Sequence, residues 1–181
     1  MVGIHNLVIP KFTIHILAIT AIESDTFDLP PERNAIIVCG RRISKYVYKC
    51  KNENILILDF ADVEDKNCLG AFNTAHARKI IGFVRNVSDE VTDLYICCSK
   101  GGSRSPAVAA ALLRMSGRSD KDVWRNPYYV PNTLVYYRLC KEYGLVFSAV
   151  FVRLRKYINN LSFRRVQKGK PCRYERWQIL E

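Results

Sequence analysis

The chain has 181 residues, of which 49% are hydrophobic and 25% are charged. This length can bury the core of one domain, and the composition excludes disordered, collagen-like and membrane-embedded proteins. The seven cysteines are an odd number in a chain too long for a small disulfide scaffold, so we expect reduced thiols. The apolar stretch 14–22 is too short for a membrane span and lacks the features of a secretory signal, so we expect a cytoplasmic protein.

The net charge of +11 is concentrated towards the C-terminus. Residues 153–176 contain nine Lys or Arg and one acid, Glu175, which gives +8 and leaves +3 for the rest of the chain. Such a segment could contact acidic proteins, phospholipid headgroups or RNA, and a solvated helix face followed by a basic tail explains it equally well. We therefore predict a single domain over 1–161 and a basic C-terminal tail over 162–181.

Short apolar runs bounded by polar residues predict buried strands over 14–21, 35–39, 55–60 and 94–97. The runs are continuous rather than alternating, which is typical of strands that are covered on both faces in α/β proteins. Before the last strand, an approximately helical stripe predicts a helix over 69–85, which completes a βαβ unit. The apolar positions of this stripe are Phe72, Ala75, Ile80, Phe83 and Val84.

Later helices are indicated by the residues at their ends. In the sequence SPAVAAALLRMSG, Ser105 is the predicted cap, Pro106 takes the first helical position and Gly117 ends the helix. The same signals predict helices over 119–125 and 132–143.

A final amphipathic helix is predicted from apolar residues that recur at helical spacing. Arg153, Arg155 and Lys156 fall on its other face, so we expect the apolar side to close the fold and the basic side to meet solvent. The apolar positions are Phe147, Phe151, Leu154, Ile158 and Leu161.

The loop before the helix that contains Pro106 reads CSKGGSR and begins at Cys98. A glycine-rich loop that leaves the carboxyl edge of a sheet and opens a helix turns backbone N–H groups toward one point, where the positive end of the helix dipole adds to them. Glycine permits the close approaches that this needs, and the planar fork of Arg104 can hold two phosphate oxygens. The predicted phosphate-binding residues are Ser99, Lys100, Gly101, Gly102, Ser103 and Arg104.

The same groups act on the thiol at the start of the loop. The N–H donors, the dipole and Arg104 favour the thiolate of Cys98, which makes Cys98 a candidate nucleophile aimed at phosphorus. Ser105 is placed to donate a hydrogen bond to this sulfur, which would help it leave when the thiophosphate is hydrolysed. For the cysteines away from this loop, a structural thiol is the simpler interpretation. These are Cys39, Cys50, Cys68, Cys140 and Cys172.

The segment CSKGGSRSPAVAAALL resembles the phosphate-binding loop and following helix of the protein tyrosine phosphatases, nearest to the dual-specificity-like branch, whose loop ends in Ser-Arg-Ser. The resemblance extends from about Ile55 to Gly144. It implies a phosphatase domain with a Cys-x5-Arg loop and a twisted, mostly parallel central sheet of about four to five strands flanked by helices. It also implies no metal or other cofactor, and hydrolysis of phosphomonoesters through a cysteinyl-phosphate intermediate.

This chemistry needs an acid that protonates the leaving oxygen and later activates water. The family takes it from an Asp in a loop before the cysteine, and here the segment ILILDFADVEDKN supplies Asp59, Asp62, Glu64 and Asp65. Because Asp59 still lies at the strand end and Asp65 stands further into the loop, we predict Asp62 as the acid and Asp65 as the second candidate.

Two positions depart from the family pattern. Cys97 stands where the family usually has a His before the nucleophile, and we expect its side chain to point to the opposite face of the strand from Cys98. Lys100 stands where an alanine is common. At the pocket wall its charge would favour inositol phosphates, phosphoinositides or the 5′ end of RNA, whereas a solvent-facing Lys100 would have no such effect.

Other interpretations stay open. Low-molecular-weight phosphatases and arsenate reductases share a Cys-x5-Arg-Ser loop, but there the acid position would be Asn126, whose amide cannot donate a proton usefully. A non-catalytic module would bind phosphorylated ligands without releasing phosphate. An inositol phosphate, phosphoinositide or RNA 5′-phosphatase would use the basic C-terminal segment to hold its polyanionic substrate. We predict a cysteine-dependent phosphomonoester hydrolase acting on phosphorylated proteins.

Overall fold

The computed structural model describes residues 9–22, 33–40, 54–87, 89–167 and 178–180. Within these ranges the strands form one sheet in the order β3-β2-β4-β1-β5. The first four strands are parallel to their neighbours, and β5 pairs antiparallel with β1. The strands are β1 (Thr13–Ala18), β2 (Asn34–Cys39), β3 (Ile55–Leu58), β4 (Asp93–Cys98) and β5 (Gln178–Leu180). The predicted α/β fold with a mostly parallel sheet is therefore confirmed.

The longer helices of the described chain pack against one face of this sheet. In the described ranges they are α1 (Ile19–Ile22), α2 (Thr74–Asn86), α3 (Arg104–Met115), α4 (Lys121–Arg125), α5 (Thr133–Tyr143) and α6 (Ala149–Gln167). Helix α3 packs on β1, β2 and β4, helix α2 packs on β3, and α5 lies across both helices. The main hydrophobic core fills the space between the sheet and these helices. Helix α6 packs on α4 and α5, outside this core. None of the described helices is both long enough and apolar enough to cross a membrane.

The parallel strands bring their carboxyl ends to a single edge of the sheet. At this edge Cys98 of β4 lies between Ala18 of β1 and Cys39 of β2, and Cys39 also pairs with Leu58 of β3. Loops that leave the carboxyl ends of neighbouring parallel strands meet in one crevice, which is where α/β proteins bind ligands. The loop after Cys98 and the acidic loop after Leu58 are therefore neighbours, although they are far apart in sequence.

Two predicted boundaries are wrong by three residues or more, and the strand predicted over 55–60 ends two residues early, at Leu58. The strand predicted over 14–21 ends at Ala18, because its partner β4 ends at Cys98 and residues beyond Ala18 have no strand to pair with. The helix predicted from residue 69 begins at Thr74. Asn73 caps it by accepting a hydrogen bond from the His76 amide, while the His76 ring accepts one from the Asn73 amide.

The predicted cap of α3 is also corrected. Ser103 occupies the N-cap position, and Ser105 is already inside the first turn with a fully buried side chain. Helix α3 therefore begins at Arg104, and Gly117, with a φ of +76°, follows its end as predicted.

The predicted orientation of the last helix is wrong. Arg155 faces the body of the protein, where it donates to the carboxylate of Asp120. Asn159 is fully buried and donates to backbone oxygens at the C-terminal end of α4. Because these buried acceptors require donors, the polar side of α6 turns inward. The apolar residues Leu154, Ile158 and Leu161 are consequently 55%, 51% and 41% exposed.

Part of the segment predicted as a basic tail belongs to regular structure. Helix α6 continues to Gln167, and residues 178–180 form β5 at the edge of the sheet. The remainder of the predicted tail, residues 168–177 and 181, lies outside the described residues.

Candidate active site

The loop 99–103 presents amide groups that form no backbone hydrogen bonds. In the described part of the chain, none of its five N–H groups donates to another backbone atom. Two of its carbonyl groups do have partners: Gly102 O accepts from the Val130 amide at 2.8 Å, and Ser103 O accepts from the Asn132 amide at 3.2 Å. The loop is thus held through its carbonyl oxygens, and its N–H groups remain available to an anion.

The glycines of this loop have different surroundings. Gly101 is buried and has a φ of +67°, a left-handed backbone conformation that residues with a side chain rarely adopt. A Cβ on residue 102 would lie 3.6 Å from the carbonyl oxygen of Tyr128, which is ordinary contact. Ser99 and Lys100 are exposed, so the structure places Lys100 on the solvent side of the loop.

Cys98 lies at the start of the loop with Ser105 beside it. The Cys98 Sγ is 3.2 Å from the Ser105 Oγ, and both residues are buried, with Cys98 3% exposed. Cys97 packs on the opposite face of the sheet with Ile36 and Val38, as expected for the preceding strand residue. The hydroxyl of Ser105 therefore contacts the sulfur of Cys98 rather than that of its neighbour.

Another cysteine lies next to Cys98 on the adjacent strand of the sheet. Cys39 pairs with it in register, and both side chains belong to the main core. Burial, together with the nearby Cys98 and Cys97, raises the pKa of the Cys39 thiol well above its ordinary value. Cys39 therefore remains a neutral thiol at physiological pH. The described cysteines are all free.

Arg104 is anchored by two of its nitrogens. One terminal nitrogen, Nη1, donates to Phe60 O and the other, Nη2, donates to Ser99 Oγ, both at 3.0 Å. Its buried Nε has no hydrogen-bond partner among the described residues, and the nearest carboxylate oxygen, Asp62 Oδ2, lies 3.9 Å away. A buried donor is costly to leave without an acceptor, so the fixed guanidinium holds a donor ready for a ligand oxygen.

Gly40 provides the space that the guanidinium occupies. It follows β2 directly, its φ is +143°, and a Cβ at this position would lie only 2.9 Å from the Nη1 of Arg104. The sequence alone did not single out Gly40 as part of the site. Its one signal was a glycine directly after a predicted strand, at the edge where ligands bind.

Asp62 lies against the loop that follows Cys98. Its Oδ1 accepts hydrogen bonds from Ser103 Oγ at 2.9 Å and from Asn132 Nδ2 at 2.8 Å, and Asn132 Nδ2 also donates to Val63 O at 3.2 Å. Asn132 caps α5 through its side-chain oxygen as well. The sequence predicted that helix start, but it gave no sign that the cap also positions the acidic loop.

The other acidic residues of this loop have different surroundings. Asp65 accepts a hydrogen bond from the Asn67 amide within an exposed turn. Glu64 binds the Thr133 amide at 2.8 Å and Lys156 of α6 at 2.7 Å. Burial alone would raise the pKa of Glu64, but the bonds from Lys156 and Thr133 outweigh it and lower that pKa. Asp62 is thus the acidic side chain that the structure joins to the predicted phosphate-binding loop.

A groove of about 680 Å³ opens beside Arg104. Its lining combines polar groups of the site with apolar side chains from the neighbouring loops. The lining residues are Ile19, Asp59, Phe60, Ala61, Leu69, Gly70, Ser99 and Arg104. Among the residues that the structure describes, no group of three or more His, Cys, Asp or Glu side chains could hold a metal ion.

No protein-family model matches the chain, and no curated protein matches it significantly. The function therefore has to be inferred from the residues of this site and from their geometry.

Proposed function

We propose that the protein is a cysteine-dependent phosphomonoester hydrolase of the protein tyrosine and dual-specificity phosphatase type, which acts through a cysteinyl-phosphate intermediate. The observation that carries this proposal is the set of donors around the start of α3. The amides of loop 99–103 and the buried Nε of Arg104 have no acceptor in the described chain, and Cys98 lies at the beginning of the same loop. A bound phosphate would supply the acceptors, and Cys98 would supply the nucleophile.

Phosphate binding rests on the loop amides and on Arg104. The non-bridging oxygens accept hydrogen bonds from these groups, and the N-terminus of α3 adds a favourable dipole. Since Phe60 O and Ser99 Oγ fix the guanidinium before substrate binds, little further ordering is needed. The exposed position of Lys100 favours an ordinary phosphomonoester over substrates that carry several phosphates.

In the first chemical step, the thiolate of Cys98 attacks phosphorus and the ester P–O bond breaks. Asp62 gives its proton to the leaving oxygen, so the alcohol departs neutral and Cys98 carries the phosphoryl group. The hydrogen bonds from Ser103 and Asn132 hold the Asp62 carboxyl beside the loop, where the leaving oxygen would lie.

In the second step, Asp62 takes a proton from water, and the water oxygen attacks phosphorus. The P–S bond breaks, phosphate is released and the Cys98 thiolate is restored. The Ser105 hydroxyl, 3.2 Å from the sulfur, donates to the thiolate as it leaves. The neutral Cys39 thiol has no role in either step.

The groove beside Arg104 supports an aromatic phosphate ester as substrate. Its apolar residues Ile19, Phe60 and Leu69 can contact a phenyl ring while the phosphate lies on the loop. A phosphotyrosine side chain has this combination of ring and phosphate.

Hydrolysis of p-nitrophenyl phosphate tests the proposal, with Cys98→Ser compared with Cys68→Ser. Cys68 is an exposed free cysteine outside the loop, so its replacement controls for the loss of a thiol. We expect turnover by the wild type and by Cys68→Ser, and a loss of at least about 10³-fold in Cys98→Ser. A wild-type protein that binds phosphate in calorimetry but releases none from the ester would instead be a non-catalytic module.

The acid is tested by comparing Asp62→Asn with Asp65→Asn on the same substrate and on an ester with a poorer leaving group, phenyl phosphate. Loss of the acid should lower kcat by about 100-fold or more on phenyl phosphate and by less on p-nitrophenyl phosphate, whose leaving group needs less protonation. This pattern in Asp65→Asn but not in Asp62→Asn would reassign the acid to Asp65.

A further inference from the structure

The outer side of α6 carries an apolar stripe that is exposed and that no other described part of the chain covers. Val150, Leu154, Tyr157 and Leu161 are 72%, 55%, 61% and 41% exposed. Their spacing of four, three and four residues places them on one face of the helix. We call these four residues the apolar stripe.

The orientation of the stripe is fixed by the opposite side of α6. There Arg155 binds Asp120 and lies over the Trp124 ring, with its guanidinium carbon 5.3 Å from the ring centre, and the buried Asn159 donates to the carbonyl oxygens of Trp124 and Asn126. A rotation that buried the stripe would take the Arg155 donor away from the buried Asp120 carboxylate and the Asn159 donor away from these carbonyl oxygens. The contacts of the described residues therefore keep the stripe on the outer side of α6.

Positive charge accompanies the stripe. The 19 residues of α6 include five basic residues and no acidic residue. Arg155 and Lys156 are engaged with Asp120 and Glu64, whereas Arg153 is exposed and lies next to the stripe. Further along the same helix follow Arg164 and Arg165. An exposed apolar face in a helix with excess positive charge matches the requirements of an anionic lipid surface.

We propose that the apolar stripe binds the surface of a lipid bilayer that contains anionic lipids, with α6 lying in the plane of the interface. The aliphatic side chains and the Tyr157 ring would enter the region between headgroups and acyl chains, and Arg153 would contact lipid phosphate. A second copy of the chain fits less well, because an isologous contact would bring two helices of the same charge together. RNA also fits less well, since three of the four stripe residues are aliphatic and offer its bases no stacking surface.

Co-sedimentation with vesicles tests this proposal. We would use phosphatidylcholine vesicles with and without about 30% phosphatidylserine, which supplies the anionic headgroups. The variant carries Leu154→Glu and Leu161→Glu together. The control carries Ile57→Glu and Ile179→Glu, which make the same charge change at two exposed apolar positions on strands at the sheet edges.

We expect the wild type to bind the anionic vesicles at least about tenfold more strongly than the neutral ones. The stripe variant should lose at least about tenfold in binding, while the control stays within about twofold of the wild type. Thermal melting followed by circular dichroism verifies the fold of each variant. Arg153→Glu, which changes one exposed residue, gives a second measure and should weaken binding severalfold.

Several results would overturn the proposal. One is a wild type that does not bind anionic vesicles, and another is a stripe variant that binds as well as the control. A wild-type dimer that the stripe variant converts to a monomer, seen by light scattering, would assign the stripe to a second copy. If the stripe variant lost binding to single-stranded RNA but bound vesicles as well as the wild type does, the stripe would be assigned to RNA. None of these measurements depends on phosphatase activity, so the proposed function can fail separately.

Discussion

Among the residues that the structure describes are two arginine–aspartate pairs that the sequence alone does not distinguish. Arg155 and Asp120 are in direct contact, and the Asp120 side chain is only 1% exposed. Arg104 and Asp62 come no closer than 3.9 Å, and the Asp62 side chain is 39% exposed. The first pair joins α6 to the body of the protein, and the second lies at the edge of the sheet beside the candidate nucleophile.

The two pairs differ in whether their hydrogen-bonding groups already have partners within the protein. Asp120 accepts hydrogen bonds from Arg155, Trp124 and Tyr136, so its carboxylate is saturated by the protein. Arg104 keeps its buried Nε without a partner in the described chain. A saturated pair stabilises a fold, whereas a fixed cation with a spare donor can bind a ligand.

The largest effect should come from Arg104→Ala. Removal of the guanidinium takes away the charge that stabilises the transferring phosphoryl group, so we expect kcat/KM for p-nitrophenyl phosphate to fall by roughly 10³-fold or more. The free energy of unfolding should change by less than about 1 kcal/mol, because the lost hydrogen bonds lie at a partly open site. Arg155→Ala is the control: it should lower stability and leave kcat/KM nearly unchanged at a temperature where it is folded.

Asp120→Ala should break the other pair. It leaves a partly buried guanidinium and two further donors without their acceptor, so we expect the free energy of unfolding to fall by about 3 kcal/mol. Urea denaturation measures this change, with Asp122→Ala, a substitution at a neighbouring position of α4, as the matched control. A loss below about 1 kcal/mol would show that the saturated pair is not what holds α6 in place.

Gly40→Ala should disturb Arg104 without removing it. The new Cβ would lie 2.9 Å from Nη1 of Arg104, so the guanidinium must shift. The alanine would also have to adopt the φ of +143°, which residues with a side chain rarely do. We expect kcat/KM to fall by about tenfold or more, since small displacements at a reacting centre are costly. Gly82→Ala is the control, because a Cβ there meets no atom within 4 Å. Equal activity in both variants would show that Gly40 does not help to position Arg104.

The smallest effect concerns Glu64, which joins the acidic loop to α6. Its lowered pKa means that the ionised form contributes stability above its ordinary value of 4.5, and that this contribution disappears as the pH falls through the folded pKa. Because the side chain is 37% exposed, the contribution should stay below about 1 kcal/mol. The difference in unfolding free energy between wild type and Glu64→Gln should therefore be present at neutral pH and vanish well below pH 4.5. A difference that grows towards low pH would contradict the assignment.

Local signals in the sequence predicted much of the fold. The continuous apolar runs located the parallel strands, and Asn132 and Gly144 marked the ends of α5, because backbone caps depend on neighbouring residues only. The loop from Cys98 to Arg104 was predictable for the same reason, since a glycine-rich turn between a strand and a helix is a local feature.

Contacts between distant segments could not be predicted in this way. The approach of Gly40 to Arg104 depends on the register between β2 and β4, and the link from Asn132 to Asp62 depends on how α5 packs. The orientation of α6 was predicted wrongly because an amphipathic pattern shows that two faces exist and leaves open which one meets the body. The buried carboxylate of Asp120, which decides the question, lies 35 residues before Arg155.

The central claim is tested most directly by trapping the covalent intermediate. Asp62→Asn would be mixed with p-nitrophenyl phosphate, quenched in acid within milliseconds and digested, and the phosphorylated peptide would be identified by mass spectrometry. The account predicts one phosphoryl group on the sulfur of Cys98, formed together with the first equivalent of p-nitrophenol. Release of p-nitrophenol with no phosphoryl group on Cys98, or with the group on another residue, would contradict it.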